Sequence, residues 1–434
     1  MRVPGRRGNS TTPPATVVRL LDRSAGDVRG DHRVRRSDAS GSDSPEWGTE
    51  WSSAERLSST ARLDGPSPVA LSMPFAPSPV AATDGRNDLT FEVHVTNTAA
   101  VPLVVQRVQI GSADGADSDL ANYEGGSVAA NMNLVGDNAT PTDRLQPAQL
   151  GFFFVDVAMD EATPVPAGMK ATVSVRALET PPPDQPIPGL AGMVDESGGP
   201  VPATLDTSVT VQVFDGTVPV IGPPLRGDGC AAMEGCCADN THHRRGVWSV
   251  DGRLLNFERY AIDFLGVDRE GFAYRGDNTK ENYVGCRADV IAVADAEVVS
   301  VLDGQEENVI GEPQPERNLT EATGNHIVLD LGNGVYAFYG HFVPGSISVK
   351  EGDHVEKGAV VGQLGNSGQS TAPHLHFHLM DNTNPALAES VPFEFDAFDL
   401  AGHATLEDVT YLPTPEPRTD EMPLSQTVVD FAGE

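Results

Sequence analysis

The segment Pro373-His374-Leu375-His376-Phe377-His378 alternates histidine with large apolar residues, the pattern of a β-strand with one buried face. Side chains alternate across a strand, so His374, His376 and His378 share a face, with nearest neighbours roughly 6.5 to 7 Å apart by the strand rise. For any one of them, a solvated or core histidine is the ordinary reading. Three together beside the Gly365–Ser370 turn instead read as a ligand or catalytic array.

Working upstream, Asn325–Leu331 and Val335–Tyr339 alternate as strands around Gly332-Asn333-Gly334, where Asn-Gly is a strong hairpin signal. The hairpin delivers His341. Between it and the histidine strand, the glycines of Val349–Gly362 permit tight turns between very short strands, and Ala288–Leu302 is a partial echo of that unit. The echo suggests an internally duplicated small barrel or sheet. The expected domain spans residues 218–402, opened by the extended linker Val218–Gly227, whose consecutive prolines exclude helix. A tail, 403–434, follows and is expected to wrap back through Val428–Phe431.

Residues 67–217 read as short strands, clearest at Leu89–Val95, Leu103–Ile110, Phe152–Val157, Ala171–Ala177 and Ser208–Phe214. In the first and last, apolar residues fall on every second position, with polar neighbours expected to meet water. Five or six such strands and a Pro-rich insertion, Pro181–Pro202, fit an immunoglobulin-like β-sandwich acting as a spacer or binding module. Residues 1–66 lack periodicity and are expected to be disordered.

Composition supports an all-β chain: 44 Gly and 34 Pro among 434 residues disfavour long helices. The formal charge of −33 argues against nucleic acid or an anionic membrane as partner, since only the opening segment is mildly basic, with 11 Arg against 8 acidic residues up to Arg62. No apolar run is long enough to span a membrane by helix, and no secretory signal is visible. Cys230, Cys236, Cys237 and Cys286 suit a disulfide staple in an oxidising compartment, with three possible pairings. A structural zinc site with His242 and His243, or free thiols, are the alternatives. Asp381, Glu306 and Glu307 read as ordinary loop charges. His326 and His354 read as surface or hairpin residues, with His326 a useful control.

Gly365-Asn366-Ser367-Gly368-Gln369-Ser370-Thr371-Ala372-Pro373-His374-Leu375-His376-Phe377, with Tyr339-Gly340-His341-Phe342 upstream, closely resembles the lysostaphin-like zinc metalloendopeptidases, which have a duplicated hybrid motif fold and cut peptide cross-links of bacterial peptidoglycan. The resemblance covers about residues 219–400. It implies zinc as cofactor, peptidoglycan as substrate and an extracellular or envelope location. It also implies Asp263, in Arg259-Tyr260-Ala261-Ile262-Asp263-Phe264, and His376 as metal ligands, and His374 and His341 as the catalytic pair flanking the reacting water. A zinc with three protein ligands would bring water to a pKa of about 7, and neutral imidazoles could move its proton and stabilise the oxyanion.

The pattern departs at Arg259, where the family has the first metal histidine; a guanidinium does not ligate zinc. His378 is the first candidate replacement because it shares the strand face, His243 the second, and an additional water the third. The opposing reading pairs Arg259 with Asp263 and leaves a metal-free module that binds the wall or activates a hydrolase. The Arg-Tyr-Ala-Ile-Asp-Phe form with an upstream His-Arg-Arg nevertheless resembles a bacterial subgroup of the family. Biotinyl or lipoyl carriers, through Lys350 or Lys357, and sugar-phosphotransferase carriers share the small-barrel shape, but neither calls for Asp263 together with the histidine strand.

Overall fold

The computed structural model describes residues 67–115, 119–137, 140–179, 204–237, 241–285, 287–405 and 408–431. The opening segment, the Pro181–Pro202 insertion and Cys286 lie outside these residues. Within them the chain is almost entirely strand and turn, as its glycine, proline and β-branched content requires.

The first unit is two antiparallel sheets face to face. One orders Val69–Ser72, Arg86–Asn97, Leu150–Asp160 and Met132–Leu134, with Pro79–Ala82 beside the second of these. The other orders Leu205–Gln212, Gly168–Ala177, Leu103–Ser112 and Asp119–Glu124, with Arg144–Leu145 added. Phe91, Val93 and Phe153 of one sheet pack against Val108, Ile110 and Val173 of the other in a single core.

The alternation in Arg86–Asn97 has a different outcome from the expected one. Asp88, Thr90, Glu92 and His94 are buried with their apolar neighbours, because the outer face of this sheet is covered by the second unit. Cross-strand register places Glu92 opposite Phe154 and His94 opposite Phe152, so acid, imidazole and aromatic rings share that covered face. Backbone bonds tie the same seam: Met422 N–H donates to Ala81 O at 2.7 Å and Thr83 N–H to Met422 O at 3.3 Å.

The second unit is built on a long sheet ordered His354–Val355, Ala296–Leu302, His326–Gly332, Val335–Gly340, Leu375–Met380, Ile262–Gly266, Gly227–Met233, Thr427–Phe431, Phe398–Ala404 and Val409–Arg418. Residues beyond 402, expected as a tail, therefore supply strands to this sheet, because Val428 and Val429 are fully apolar and pair with both neighbours. The Gly332-Asn333-Gly334 hairpin forms with positive φ at all three residues. The internal echo is spatial as well: Asp289–Ile291 pairs with Val360–Gln363, and Ala296 with Val355. The described sheets are open and do not close into a small barrel.

Two acids expected as ordinary loop charges are fixtures. Glu307 accepts the Asn366 N–H at 3.1 Å and pairs with Lys280 at 2.6 Å, anchoring the turn before the histidine strand. Asp381 accepts the Glu389 N–H at 2.8 Å. Cys236 and Cys237 are joined in a disulfide and Cys230 is a free buried thiol, so the first two offer no thiolates to a metal.

Candidate functional site

Strand Leu375–Met380 lies between Val335–Gly340 and Ile262–Gly266. Its register sets His376 opposite both Asp263 and Gly340, and His378 opposite Phe338. Directly opposed residues on one sheet face bring their side chains together, which is how residues 113 apart in sequence meet: Nδ1 of His376 is 3.0 Å from Oδ1 of Asp263. His374 precedes the strand in a bridge to Gly365, and its Nε2 reaches the same Oδ1 at 3.4 Å. His341 follows Gly340, and the His341 and His374 rings have centroids 4.7 Å apart.

His243 enters from the opposite side. It stands on the single helical turn His242–Arg245, which starts where the Thr241 hydroxyl accepts the Arg244 N–H. Its Nδ1 contacts the carbonyl oxygens of Glu234 at 3.0 Å and Ala261 at 3.3 Å. Carbonyls only accept, so Nδ1 carries the hydrogen. Burial pulls the His243 pKa below its ordinary value despite the pull of Asp263, and the neutral ring therefore turns the lone pair of Nε2 toward Oδ1 of Asp263, 3.6 Å away. Asp263 is held well below the usual carboxylate range: burial pushes it up, but the charge of His374 and the hydrogen bonds of His374 and His376 outweigh that. A bare nitrogen lone pair facing an ionised carboxylate is a donor set that fits a cation. Two overlapping clusters have all donor atoms within 4.8 Å: His242, His243 and Asp263, and His243, Glu258 and His376. His243 is common to both.

His378 lies on the shared strand face, but one position beyond the cluster. Its Nδ1 is 3.0 Å from Nε2 of His376, on the far side of that ring from Asp263, and its own ring stacks on Phe338 at 4.9 Å. Burial, then His376 and His243, holds its pKa well down. Its Nε2 has no hydrogen-bond partner.

The two remaining histidines have fixed tautomers. His341 Nδ1–H donates to Ser367 O at 2.7 Å and His374 Nδ1–H to Ala372 O at 2.8 Å, which leaves Nε2 of His341 available and turns Nε2 of His374 to Asp263. His341 holds φ at 70°, a conformation uncommon for a residue with a Cβ and typical of constrained sites. Burial, followed by His374 and His376, pulls its pKa well below the ordinary value, so the ring is neutral with a lone pair on Nε2. For His374, burial pulls the pKa down but Asp263 outweighs it and raises the ring above its ordinary value. His326 lies apart from this cluster, bonded through Nδ1 to Gly324 O at 3.0 Å.

Arg259 does not pair with Asp263. Its Nε and Nη2 donate to both oxygens of Glu92, the latter at 2.7 Å, and its Nη1 to Glu389 at 2.9 Å. Glu92 also receives Nη1 of Arg244. Sequence reasoning missed Glu92, Glu389 and Glu258, and weighed His242 only with the cysteines. Nothing local marks Glu92, which lies 167 positions from Arg259; Glu258 adjoins the Arg-Tyr-Ala-Ile-Asp-Phe motif and could have been weighed with it.

Residues 284–387 match peptidase family M23, a span that holds His341, His374, His376 and His378 but neither Asp263 nor His243. Stretches of 73 residues are 41% identical to the glycyl-glycine endopeptidase ALE-1 of Staphylococcus capitis and to lysostaphin of Staphylococcus simulans; one of 71 residues is 37% identical to the peptidoglycan DD-endopeptidase ShyA of Vibrio cholerae. Each covers 16% of this chain and 20%, 14% and 16% of the respective relative. The catalytic domain of the prophage-encoded M23 protein EnpA from Enterococcus faecalis aligns over 40% of this chain and 93% of that one, at 20% identity and a TM-score of 0.23.

Proposed function

The chain carries a peptidase family M23 domain, and on that premise we propose that it is a zinc-dependent endopeptidase hydrolysing peptide cross-links of bacterial peptidoglycan in the cell envelope or outside the cell. Among the described residues no helix is long and apolar enough to cross a membrane. The observation that carries the reading is the facing of the His243 lone pair and the Asp263 carboxylate, with His376 on the same oxygen.

His243, Asp263 and His376 would hold the zinc. His378 would serve as the hydrogen-bond partner of His376: donation from His376 Nε2–H leaves Nδ1 free for the metal, the usual outer support of a ligating imidazole. When bound, zinc supplies a water acidic enough to ionise near neutral pH and polarises the scissile carbonyl. His341, neutral and oriented by Ser367, takes the proton of the attacking water. His374, held by Ala372 through Nδ1–H, would in its protonated form donate a hydrogen bond from Nε2–H to the oxyanion and then a proton to the departing amine. The ion pairs of Arg259 point its charge away from Asp263, which supports a working site over a retired one.

Elemental analysis of the full-length protein, with peptidoglycan digestion in parallel, tests this. The expected result is about one zinc per chain, lost in His243→Ala and in His376→Ala together with cleavage. No zinc and no cleavage in the native protein would make the domain a wall-binding or hydrolase-activating module.

A further inference from the structure

The turn that carries His243 has two allegiances. His243 points into the cluster, while its neighbours Arg244 and Arg245 are driven into the outer face of the β-sandwich. Arg244 pairs with Glu92 and donates to the carbonyls of Phe91 at 2.8 Å and Val155 at 3.1 Å. Arg245 donates to Asn133 Oδ1 and Ala130 O. The Phe154 ring lies beneath both guanidinia, 5.1 and 5.3 Å from its centroid. A single turn of helix cannot hold itself in water, so these contacts fix where His243 stands. Glu92 reaches further, because it also grips Arg259, four residues before Asp263. One buried carboxylate of the sandwich therefore fastens the segments that carry two of the three proposed ligands.

We infer that the sandwich is a positioning element of the metal site, and that Glu92 is a positioning residue that sets His243 through Arg244. This rests on the reading of His243 as a ligand. The sandwich is then no spacer: its docking makes the site competent, and loosening it lowers metal affinity without touching a ligand.

The test is a double-mutant cycle on zinc affinity of the full-length protein, measured by chelator competition, with near-ultraviolet circular dichroism to verify folding. Glu92→Gln is expected to weaken zinc binding roughly 10- to 100-fold, the range for lost outer support of a ligand. The same change in a His243→Ala background, whose weakened zinc binding is read by titration, is expected to have a markedly smaller effect, the remainder acting through Arg259 and Asp263, and Glu92→Asp to recover part of the loss. Phe154→Leu, which keeps an apolar side chain but removes the aromatic face beneath both arginines, is expected to give a smaller loss that vanishes without His243, and it decides the matter if Glu92→Gln does not fold. Native affinity in folded Glu92→Gln, or in Phe154→Leu when Glu92→Gln does not fold, overturns the inference, as does a loss that adds fully to that of His243→Ala. Absence of zinc from the unaltered protein, or native affinity in His243→Ala, instead overturns the ligand reading beneath it.

Discussion

At the scale of single residues, the proposed mechanism separates holding from proton transfer. His341 touches the cluster through its ring alone, 5.8 Å between centroids from His376, and is fixed from behind by Ser367. His341→Ala should therefore lower turnover by about 10²- to 10⁴-fold, the range for a lost general base, while zinc content is unchanged. Loss of zinc in that variant would assign His341 to the ligand set. Arg259 is the residue whose anomaly the sequence displayed and whose solution it concealed. A guanidinium in place of a ligand was visible at once, but its partners lie 167 and 130 positions away, and only the assembled seam shows that both acids receive its charge.

At the scale of elements, much of the site was legible because strands obey a period of two. Alternation alone placed His374, His376 and His378 on one face, and the Asn-Gly turn placed the hairpin that delivers His341. Register was not legible. Nothing in the sequence shows that Asp263 stands opposite His376, or that the His376 ring turns one nitrogen to Asp263 and the other to His378. That orientation sets His378, expected first among replacement ligands, against Nε2 of His376 on the side away from Asp263, and the proposed mechanism therefore gives it a supporting position and brings His243 forward. His378→Phe, which preserves the stack on Phe338 and removes the hydrogen bond to His376, should weaken zinc binding roughly 10- to 100-fold and leave stoichiometry at saturating zinc unchanged. If His378 were itself a ligand, stoichiometry would collapse in the same titration.

At the scale of the whole molecule, the seam between sandwich and peptidase unit is where sequence reading stops. Phe152, Phe153 and Phe154 are all buried, as a strand covered on both faces requires, but no pattern in the sequence shows that Glu92 and His94 lie beneath the same cover. The seam has a consequence for pH. Burial pushes Glu92 upward, but Arg259 and Arg244 overrule it and hold its pKa at about 2. Glu389 has Arg259, shared with Glu92, and the Asn256 N–H, and burial outweighs both, raising it to about 8. A carboxyl whose folded pKa is raised binds more protons folded than unfolded, so its stabilising effect is complete below the unfolded value near 4.5 and is lost as pH climbs toward 8. Asp88, pushed up to about 7 chiefly by burial, titrates in the same range, so the difference between native protein and Glu389→Gln isolates the effect. Urea denaturation at pH 5 and pH 8 should show the native protein losing stability relative to Glu389→Gln as pH rises, by an amount on the order of a few kcal/mol. A difference that is constant between the two pH values would mean that Arg259 keeps Glu389 ionised throughout, and that both acids of the seam stand as carboxylates around its guanidinium.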